Sequence, residues 1–167
     1  AERVHAPRLF GLDARSLAID GEGVPRVAYG GDRLYLASRI GDAWQTEVSD
    51  ETAGVGGPAT LAFDSHGNAH IAHLDQTTGR ILHTTDASGA WTTSLAALAG
   101  EAADLAMQLD VSGAVHIVFA DGGDGSLSYA SNVGGAWATE AVSATGDVAG
   151  EVAVRVDPTG SAHVAYR

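Results

Sequence analysis

The chain has 167 residues, no cysteine and a formal net charge of −12, from 21 acidic against 9 basic residues. This length is usual for one domain, and the lack of cysteine excludes disulfide bonds and thiolate metal sites. The acidic charge makes nucleic acid and anionic membrane surfaces poor partners, and no apolar run approaches the roughly 20 residues of a membrane span. We therefore expect a globular domain with no nucleic-acid partner and no membrane insertion.

The first recognisable unit begins at Leu17 and reads LAIDGEGVPRVAY. Apolar residues alternate, an Asp-x-x-Gly turn follows, and alternation resumes, which predicts a strand, a tight turn and a second strand. The same unit recurs from Leu61, Met107 and Val154. The turn aspartates are Asp20, Asp64, Asp110 and Asp157, and the glycines three residues later are Gly23, Gly67, Gly113 and Gly160. The aspartates are 44, 46 and 47 residues apart, which is a period typical of repeat architectures.

A second marker has the same period. Tryptophan recurs at Trp44, Trp91 and Trp137, near the start of the last strand-like run of each unit. In the second unit the four predicted strands are Leu61–Asp64, His70–Leu74, Arg80–Thr85 and Trp91–Leu95. The connections between units are predicted at Ser49–Ala59 and Leu95–Met107, the latter with room for one helical turn. Four strands in about 45 residues predict an all-β chain of the β-propeller class, built of four-stranded antiparallel blades.

The chain contains about three and a half such blades. The predicted divisions are an outer strand of a preceding blade with its connection (1–15), blade 1 (16–59), blade 2 (60–105), blade 3 (106–152) and the first two strands of blade 4 (153–167). Closed propellers usually have more blades, and closure removes exposed sheet edges. We therefore expect the chain to be part of a larger propeller, completed by missing sequence or by other copies.

The recurring turn and strand residues have local structural explanations. Each aspartate can accept hydrogen bonds from N–H groups across its turn, and each glycine can adopt a positive φ. A calcium site is the alternative, but one carboxylate per turn supplies too few hard ligands. The apolar pairs of the first strands are expected to pack against the neighbouring blade; these pairs are Leu17/Ile19, Leu61/Phe63, Met107/Leu109 and Val154/Val156.

A basic residue or histidine stands six positions after each turn aspartate. This series is Arg26, His70, His116 and His163. Three equivalent histidines suggest a metal ring, but the second strand of a blade does not line the central channel, so the rings would be too far apart to share one ion. We expect each imidazole to bond a backbone group near its own turn, with ligand binding and metal binding as alternatives.

Two sets of side chains are candidates for ligand binding. Trp44, Trp91 and Trp137 either cover the blade edge or stack on a sugar. Asp75, Asp121 and Asp124 lie in predicted loops between the second and third strands, which share a face with the connections between units. Loops on a rigid scaffold commonly carry function. The segment Asp121–Ser126 resembles an acidic calcium-binding loop, but it lacks the remaining ligands of an EF-hand.

The units resemble a widespread bacterial propeller repeat with a D-x-x-G-x-x-H hairpin and a G-x-W start to the last strand. The segments that carry the resemblance are DSHGNAHIAHLD (64–75), DVSGAVHIVFAD (110–121), DPTGSAHVAY (157–166), LSYASNVGGAW (127–137) and LYLASRIGDAW (34–44). Such repeats are similar to sialidase-like and fucose-lectin-like propellers. The sialidase Asp-box and its catalytic residues are not matched, and neither is the WD dipeptide.

The resemblance implies a fold more specifically than an activity. It favours a non-catalytic module, extracellular or on a bacterial cell surface, that recognises carbohydrate or a protein partner. The alternatives are the non-catalytic part of a glycoside-processing enzyme and a structural module that packs against other chains. We expect no catalytic residue, no metal and no cofactor, because no Ser-His-Asp, P-loop or HExxH pattern occurs.

Overall fold

The structure, a computed structural model, describes residues 15–52, 55–143, 148 and 151–167. Within these ranges the chain is all β, with 14 strands and no helix. The outer strand and connection predicted at residues 1–15 lie outside the described residues, except for Arg15 at the end of the connection. The described part of the chain contains no helix long and apolar enough to cross a membrane.

The strands form four antiparallel sheets in chain order. Sheet 1 contains β1 (Leu17–Ile19), β2 (Pro25–Tyr29), β3 (Leu34–Ile40) and β4 (Ala43–Asp50); sheet 2 contains β5 (Val55–Phe63), β6 (Ala69–Asp75), β7 (Arg80–Thr85) and β8 (Thr92–Leu98). Sheet 3 contains β9 (Ala102–Leu109), β10 (Val115–Asp121), β11 (Leu127–Ser131) and β12 (Ala138–Ser143); sheet 4 contains β13 (Val152–Val156) and β14 (Ala162–Tyr166). Every strand pairs with its neighbours in sequence, so each sheet is a meander of hairpins.

The predicted connection at Leu95–Met107 is wrong. β8 continues to Leu98 and β9 begins at Ala102, so only residues 99–101 link sheets 2 and 3, and no helical turn forms. Likewise β5 begins at Val55, inside the predicted connection Ser49–Ala59. Alanine- and glycine-containing segments such as these have little strand propensity of their own, but here each lies beside a partner strand whose backbone groups need pairing.

The fourth strand of each complete sheet contains a β-bulge at one equivalent position. The register skips Ser49 in β4, Ala96 in β8 and Val142 in β12. A bulge adds one unpaired residue to a strand. It therefore interrupts the alternation of side chains between the two faces of the sheet and changes the direction of one side chain. Ala96 is thereby buried in the core between sheets 2 and 3.

Consecutive sheets pack face to face through separate apolar clusters. Leu36 and Ile71 belong to the cluster between sheets 1 and 2. Ile81 and Ile117 belong to the cluster between sheets 2 and 3. A third cluster joins Val118 of sheet 3 to sheet 4. Consecutive sheets thus bury their facing sides against each other, and a fourth cluster with Tyr29, Tyr35 and Ala37 lies within sheet 1.

The prediction that every first-strand pair packs against a neighbouring sheet is wrong for β1. Leu61 and Met107 are 6% and 7% exposed, as expected for buried members of the series. Leu17 is 53% exposed, and Ile19 is also exposed. The reason is positional, because this face of sheets 2 to 4 points at the preceding sheet, and among the described residues no sheet precedes sheet 1.

The first strands of the four sheets converge. Arg15, next to β1, donates from Nη1 to the Val152 carbonyl of β13 at 2.7 Å and from Nη2 to Asp104 Oδ1 of β9 at 2.6 Å. Flat sheets stack about 10 Å apart, so four parallel layers would separate sheets 1 and 4 by roughly 30 Å. One arginine cannot span that distance. The sheets therefore fan out from a common axial side, where β1, β5, β9 and β13 approach one another.

Replacing Asp104 with asparagine should weaken this axial side. Asp104 Oδ2 also accepts from the Val152 N–H at 2.9 Å, so its carboxylate serves Arg15 and Val152 together. The substituted amide keeps one acceptor and loses the charge, so we expect the free energy of unfolding to fall by about 1–2 kcal/mol in urea titrations. The exposed variant Glu101→Gln is the control and should change it by less than about 0.5 kcal/mol. Equal effects would contradict a bridging role for Asp104.

Candidate functional site

The turns between first and second strands have the predicted construction. Asp64 Oδ1 accepts from the N–H groups of His66 and Asn68 at 2.8 and 2.9 Å. Gly67 has a φ of +86°. Burial alone would raise the pKa of Asp64, but the donors from Asn68 and His66 outweigh it and hold the pKa below its ordinary value. The same two-donor pattern is present at Asp20, Asp110 and Asp157.

The residue six positions after each turn aspartate contacts that aspartate through its side chain. Arg26 Nε donates to Asp20 Oδ2 at 2.9 Å. His163 Nε2 lies 3.0 Å from Asp157 Oδ2, and the equivalent distances at His70 and His116 are 3.6 and 3.5 Å. The expectation of a backbone partner is therefore wrong. Arg26 and His163 bond the aspartates of their own turns, whereas His70 Nε2 has no hydrogen-bond partner among the described residues and Asp64 Oδ2 accepts from Asn68 Nδ2 instead.

The tryptophans connect the outer parts of neighbouring sheets. Trp91 Nε1 donates to Glu47 Oε2 of β4 at 3.1 Å, and Trp137 Nε1 donates to Ser94 Oγ of β8 at 3.2 Å. Both are partly buried against the clusters between sheets. Trp44 packs beside Tyr29, and its buried Nε1 has no hydrogen-bond partner among the described residues. These contacts correspond to the structural alternative, in which the indoles cover sheet edges.

Replacing Trp91 with phenylalanine should cost more than the same change at Trp44. The Trp91 variant loses the hydrogen bond to Glu47, whereas the Trp44 variant loses a buried N–H group that has no described partner. We expect a difference of about 1 kcal/mol in the free energy of unfolding, measured by urea titration. If the Trp44 variant is the less stable of the two, the indole of Trp91 does not link the sheets as described.

The loops between second and third strands lie on one face with the connections between sheets; we call this the connection face. Ala99 N–H donates to the Gly79 carbonyl at 2.8 Å, and Gly122 N–H donates to the Glu101 carbonyl at 2.6 Å. A Cβ added to Gly100 would lie 2.7 Å from Asp121 Oδ2. The connection between sheets 2 and 3 is therefore held between the loops of both sheets.

The three candidate aspartates do lie at the connection face, but they do not converge on one ligand position. Asp75 is buried and accepts from Thr77 N–H and from the hydroxyl of Thr78, which holds its pKa below the ordinary value. Asp121 accepts from Gly123 N–H at 2.8 Å. Asp124 is exposed and accepts from the N–H of its own loop at Ser126. Each carboxylate therefore accepts hydrogen bonds within its own loop and stabilises the conformation of that loop.

A cavity of about 550 Å³ lies at the axial side, beside β9 and sheet 4. Its charged lining residues come from strand ends and strand edges: Arg15, Asp104, Glu151, Arg155 and Arg167. Tyr166, which is half exposed, adds an aromatic ring. Arg167 pairs with Glu151 at 3.3 Å, and Arg15 pairs with Asp104, so the lining contains both guanidinium donors and carboxylate acceptors. This arrangement can bind a neutral polar ligand through several hydrogen bonds.

A buried polar network lies between sheets 1 and 2. His73 Nε2 is 2.8 Å from Thr84 Oγ1, which is 2.9 Å from Thr93 Oγ1. Thr93 donates to Asp50 Oδ2 of sheet 1 at 3.0 Å. Burial lowers the pKa of His73 to about 4, although the carboxylates of Asp50 and Asp75 oppose this shift. The ring is therefore neutral at pH 7.

A second buried network lies between sheets 2 and 3. His70 Nδ1 is 3.0 Å from His83 Nε2, and the two rings stack at 5.1 Å. The indole of Trp137 meets His83 edge-on at 5.6 Å. Burial lowers the pKa of His83 to about 3, and the positive charge on a protonated His70 would lower it further. Burial also lowers the pKa of His70.

Sequence reasoning missed Arg15, Asp104 and the network of Asp50, His73 and His83. The repeat analysis finds residues that recur, whereas each of these occurs in one unit only. The sequence signal that could have identified them is a polar residue in one unit at a position that is apolar in the other units. Among the described residues, no three His, Asp or Glu side chains are grouped so that they could hold a metal ion.

Comparisons with known proteins find no family model that matches the chain and no curated protein with significant similarity to it. The resemblance to bacterial propeller repeats therefore stays a prediction.

Proposed function

We propose that the chain is part of a β-propeller that binds carbohydrate or a protein partner, outside the cell or on its surface, without transforming it. The observation that carries this proposal is the contact of Arg15 with both Asp104 and Val152, which joins sheet 1 to sheets 3 and 4 at the axial side. Face-to-face meanders that converge at their first strands are the arrangement of propeller blades. The same convergence builds the axial cavity.

The axial cavity supports carbohydrate as the ligand class. Its volume of about 550 Å³ falls within the roughly 300–1,000 Å³ of small-molecule sites. A sugar offers hydroxyl groups that both donate and accept, and the cavity offers guanidinium donors beside carboxylate acceptors. Tyr166 supplies an apolar face with a polar tip at the same opening.

The turn and loop carboxylates support binding over catalysis. A general acid of a glycosidase needs a raised pKa. Hydrogen bonds instead hold the pKa values of Asp20, Asp75 and Asp157 below their ordinary values, from Val24 N–H, the Thr78 hydroxyl and the Thr159 hydroxyl respectively. These three carboxylates are therefore ionised, and each already accepts hydrogen bonds from its own turn or loop.

A glycan array tests the carbohydrate proposal. The native chain should bind a defined set of glycans, the Tyr166→Ala variant should lose that binding, and Val111→Ala, an exposed change remote from the cavity lining, should keep it. Sialidase and glycosidase substrates should not be turned over. Turnover would assign the chain to a glycoside-processing enzyme, and a folded sample that binds no glycan would remove carbohydrate as the ligand.

Assembly with further sheets is a second candidate function, and the exposed face of β1 favours it. Leu17 and Ile19 occupy positions that the preceding sheet covers in sheets 2 and 3. Another copy or another part of a larger propeller would cover the same face. Analytical ultracentrifugation should then show self-association that Leu17→Lys abolishes and Leu98→Lys, an equally apolar exposed control, leaves intact. A monomer at every concentration would exclude self-assembly through β1.

A further inference from the structure

The interface between sheets 1 and 2 has polar side chains at positions that are apolar in the next interface. Ser49 and Asp50 of β4 are 4% and 8% exposed, and His73 of β6 is 2% exposed. By strand register they correspond to three residues of the apolar cluster between sheets 2 and 3, which are Ala96, Ala97 and Phe119. Buried polar atoms are costly unless they are hydrogen-bonded, so each polar atom of this interface needs a partner.

The bulge of β4 brings Ser49 and Asp50 to the face that packs on sheet 2. Consecutive residues of a regular strand point to opposite faces, but the register skips Ser49 and both residues are buried. The equivalent residues Ala96 and Ala97 both belong to the cluster that faces sheet 3. Asp50 Oδ2 lies 3.9 Å from His73 Nε2. The hydroxyl of Ser49 therefore lies in the same interface as the imidazole of His73.

A chain of hydrogen bonds determines which nitrogen of His73 carries the proton. Burial alone would raise the pKa of Asp50, but hydrogen bonds from Thr52 and Thr93 hold it below the ordinary value, so the carboxylate only accepts. Thr93 Oγ1 donates its one proton to Asp50 Oδ2 at 3.0 Å, and it therefore accepts from Thr84 Oγ1 at 2.9 Å. Thr84 then has no proton left for the ring, so His73 Nε2 donates to Thr84 Oγ1 at 2.8 Å. The proton of the neutral ring is thus on Nε2, and Nδ1 is an acceptor.

Two buried atoms of this interface have no hydrogen-bond partner among the described residues. These atoms are His73 Nδ1 and Ser49 Oγ. Nδ1 needs a donor, and the hydroxyl of Ser49 can donate and accept, but the two atoms do not bond each other directly. Buried water molecules in proteins typically bond such otherwise unsatisfied groups. A water molecule can donate to the first atom and accept from the second.

We propose that a water molecule is bound between sheets 1 and 2, where it donates to His73 Nδ1 and accepts from Ser49 Oγ. The water extends the chain of hydrogen bonds from Asp50 through Thr93, Thr84 and His73 back to Ser49, so it links the two sheets a second time. The site lies between two complete four-stranded sheets and shares no residue with the axial cavity. The proposal therefore goes beyond the carbohydrate proposal and is independent of it.

A high-resolution crystal structure of the whole chain tests the site directly. An ordered water should lie within about 2.7–3.2 Å of both His73 Nδ1 and Ser49 Oγ. The matched control is a variant that gives this interface the side chains of the next one, Ala96, Ala97, Phe119 and Ala130. It carries Ser49→Ala, Asp50→Ala, His73→Phe and Thr84→Ala, and we expect it to fold without a water at this position, because apolar cavities stay dry.

Nuclear magnetic resonance tests the same site in solution. A long-range proton–nitrogen correlation spectrum should show the proton of His73 on Nε2, and water should give Overhauser cross-peaks to the adjacent ring proton Hε1. The Ser49→Ala variant should lose these cross-peaks and shift the Nδ1 resonance. Ser38→Ala is the control, because Ser38 is also buried in sheet 1 but lies at the other end of the β3–β4 hairpin, and it should change neither signal.

Four results would overturn the proposal. The first is a native crystal structure with no water within hydrogen-bond distance of His73 Nδ1, including one in which Ser49 Oγ donates to the ring directly. The second is a proton on Nδ1 in the correlation spectrum. The third is a water that keeps its position in the fourfold variant. The fourth is a cation at the site, recognised by oxygen ligands at about 2.3–2.6 Å.

Discussion

At pH 4.5 the protein is expected to be roughly 3–5 kcal/mol less stable than at pH 7.5. His73 has a folded-state pKa of about 4 and an ordinary value of 6.5, because burial disfavours its charged form. A depressed histidine pKa contributes stability that is fully present above pH 6.5. As the pH falls from 6.5 towards 4, the unfolded chain binds the proton first, and about 3 kcal/mol is lost from this residue.

His83 titrates in the same window and adds to the loss. Its folded-state pKa is about 3, and its ring is held as a neutral partner of His70 between two sheets. The two contributions are coupled through sheet 2 and do not sum. The carboxylates act at lower pH. Burial alone would raise the pKa values of Asp64 and Asp110, but hydrogen bonds outweigh it and hold these pKa values below the ordinary value, so the stabilising effect of both groups is lost only as the pH falls below about 4.

Urea titrations at pH 7.5, 6.5, 5.5 and 4.5 measure this dependence. In the His83→Leu variant, the loss of stability between pH 6.5 and 4.5 should be smaller than in the native protein, by up to about half, whatever the variant's stability at pH 7.5. His66→Gln is the control, since His66 is exposed and lies on a turn. A free energy of unfolding that stays constant between pH 7.5 and 4.5 would show that the imidazoles of His73 and His83 are not buried as described.

Replacing Gly79 with alanine is expected to lower the free energy of unfolding by about 3 kcal/mol. Gly79 has a φ of +65°, and a Cβ there would lie 2.2 Å from the Gly100 carbonyl oxygen. Strain at a positive φ costs about 1 kcal/mol or more, and displacing packed backbone adds about 1–3 kcal/mol. The cost is large because the second–third loop of sheet 2 lies directly against the connection to sheet 3.

Gly67→Ala separates the two contributions. Gly67 has a φ of +86°, but a Cβ there would meet nothing within 4 Å. This variant should therefore lose only about 1 kcal/mol in the same urea titration. Equal losses at Gly67 and Gly79 would mean that the loop does not press on the connection, and the arrangement of the connection face would be wrong.

The strands and turns were largely predictable from the sequence because their causes are local. Alternation of apolar residues and the Asp-x-x-Gly turn act within a few residues, and Asp64 and Gly67 behave as the pattern predicts. The alanine-rich segment Leu95–Met107 was misjudged because its own propensity is weak. Its strands form through pairing with β7 and β10, which the segment itself does not encode.

The candidate binding residues were predictable only in part. The loop positions of Asp75 and Asp121 followed from the repeat, but their hydrogen-bond partners did not. Trp91 and Trp137 were recognised as markers, yet their acceptors stand 44 and 43 residues away on another sheet. No local pattern reports which way a sheet faces its neighbour.

The order of strands within each sheet was therefore already present in the amino-acid pattern, because a meander needs only hairpins between consecutive strands. The stacking of the sheets on one another depends on tertiary contacts that no local pattern contains. Arg15 contacts Val152 across 137 positions, and His73 of sheet 2 lies 3.9 Å from Asp50 of sheet 1. Such contacts depend on the angle between whole sheets, which is set by how their apolar faces and tryptophans pack together.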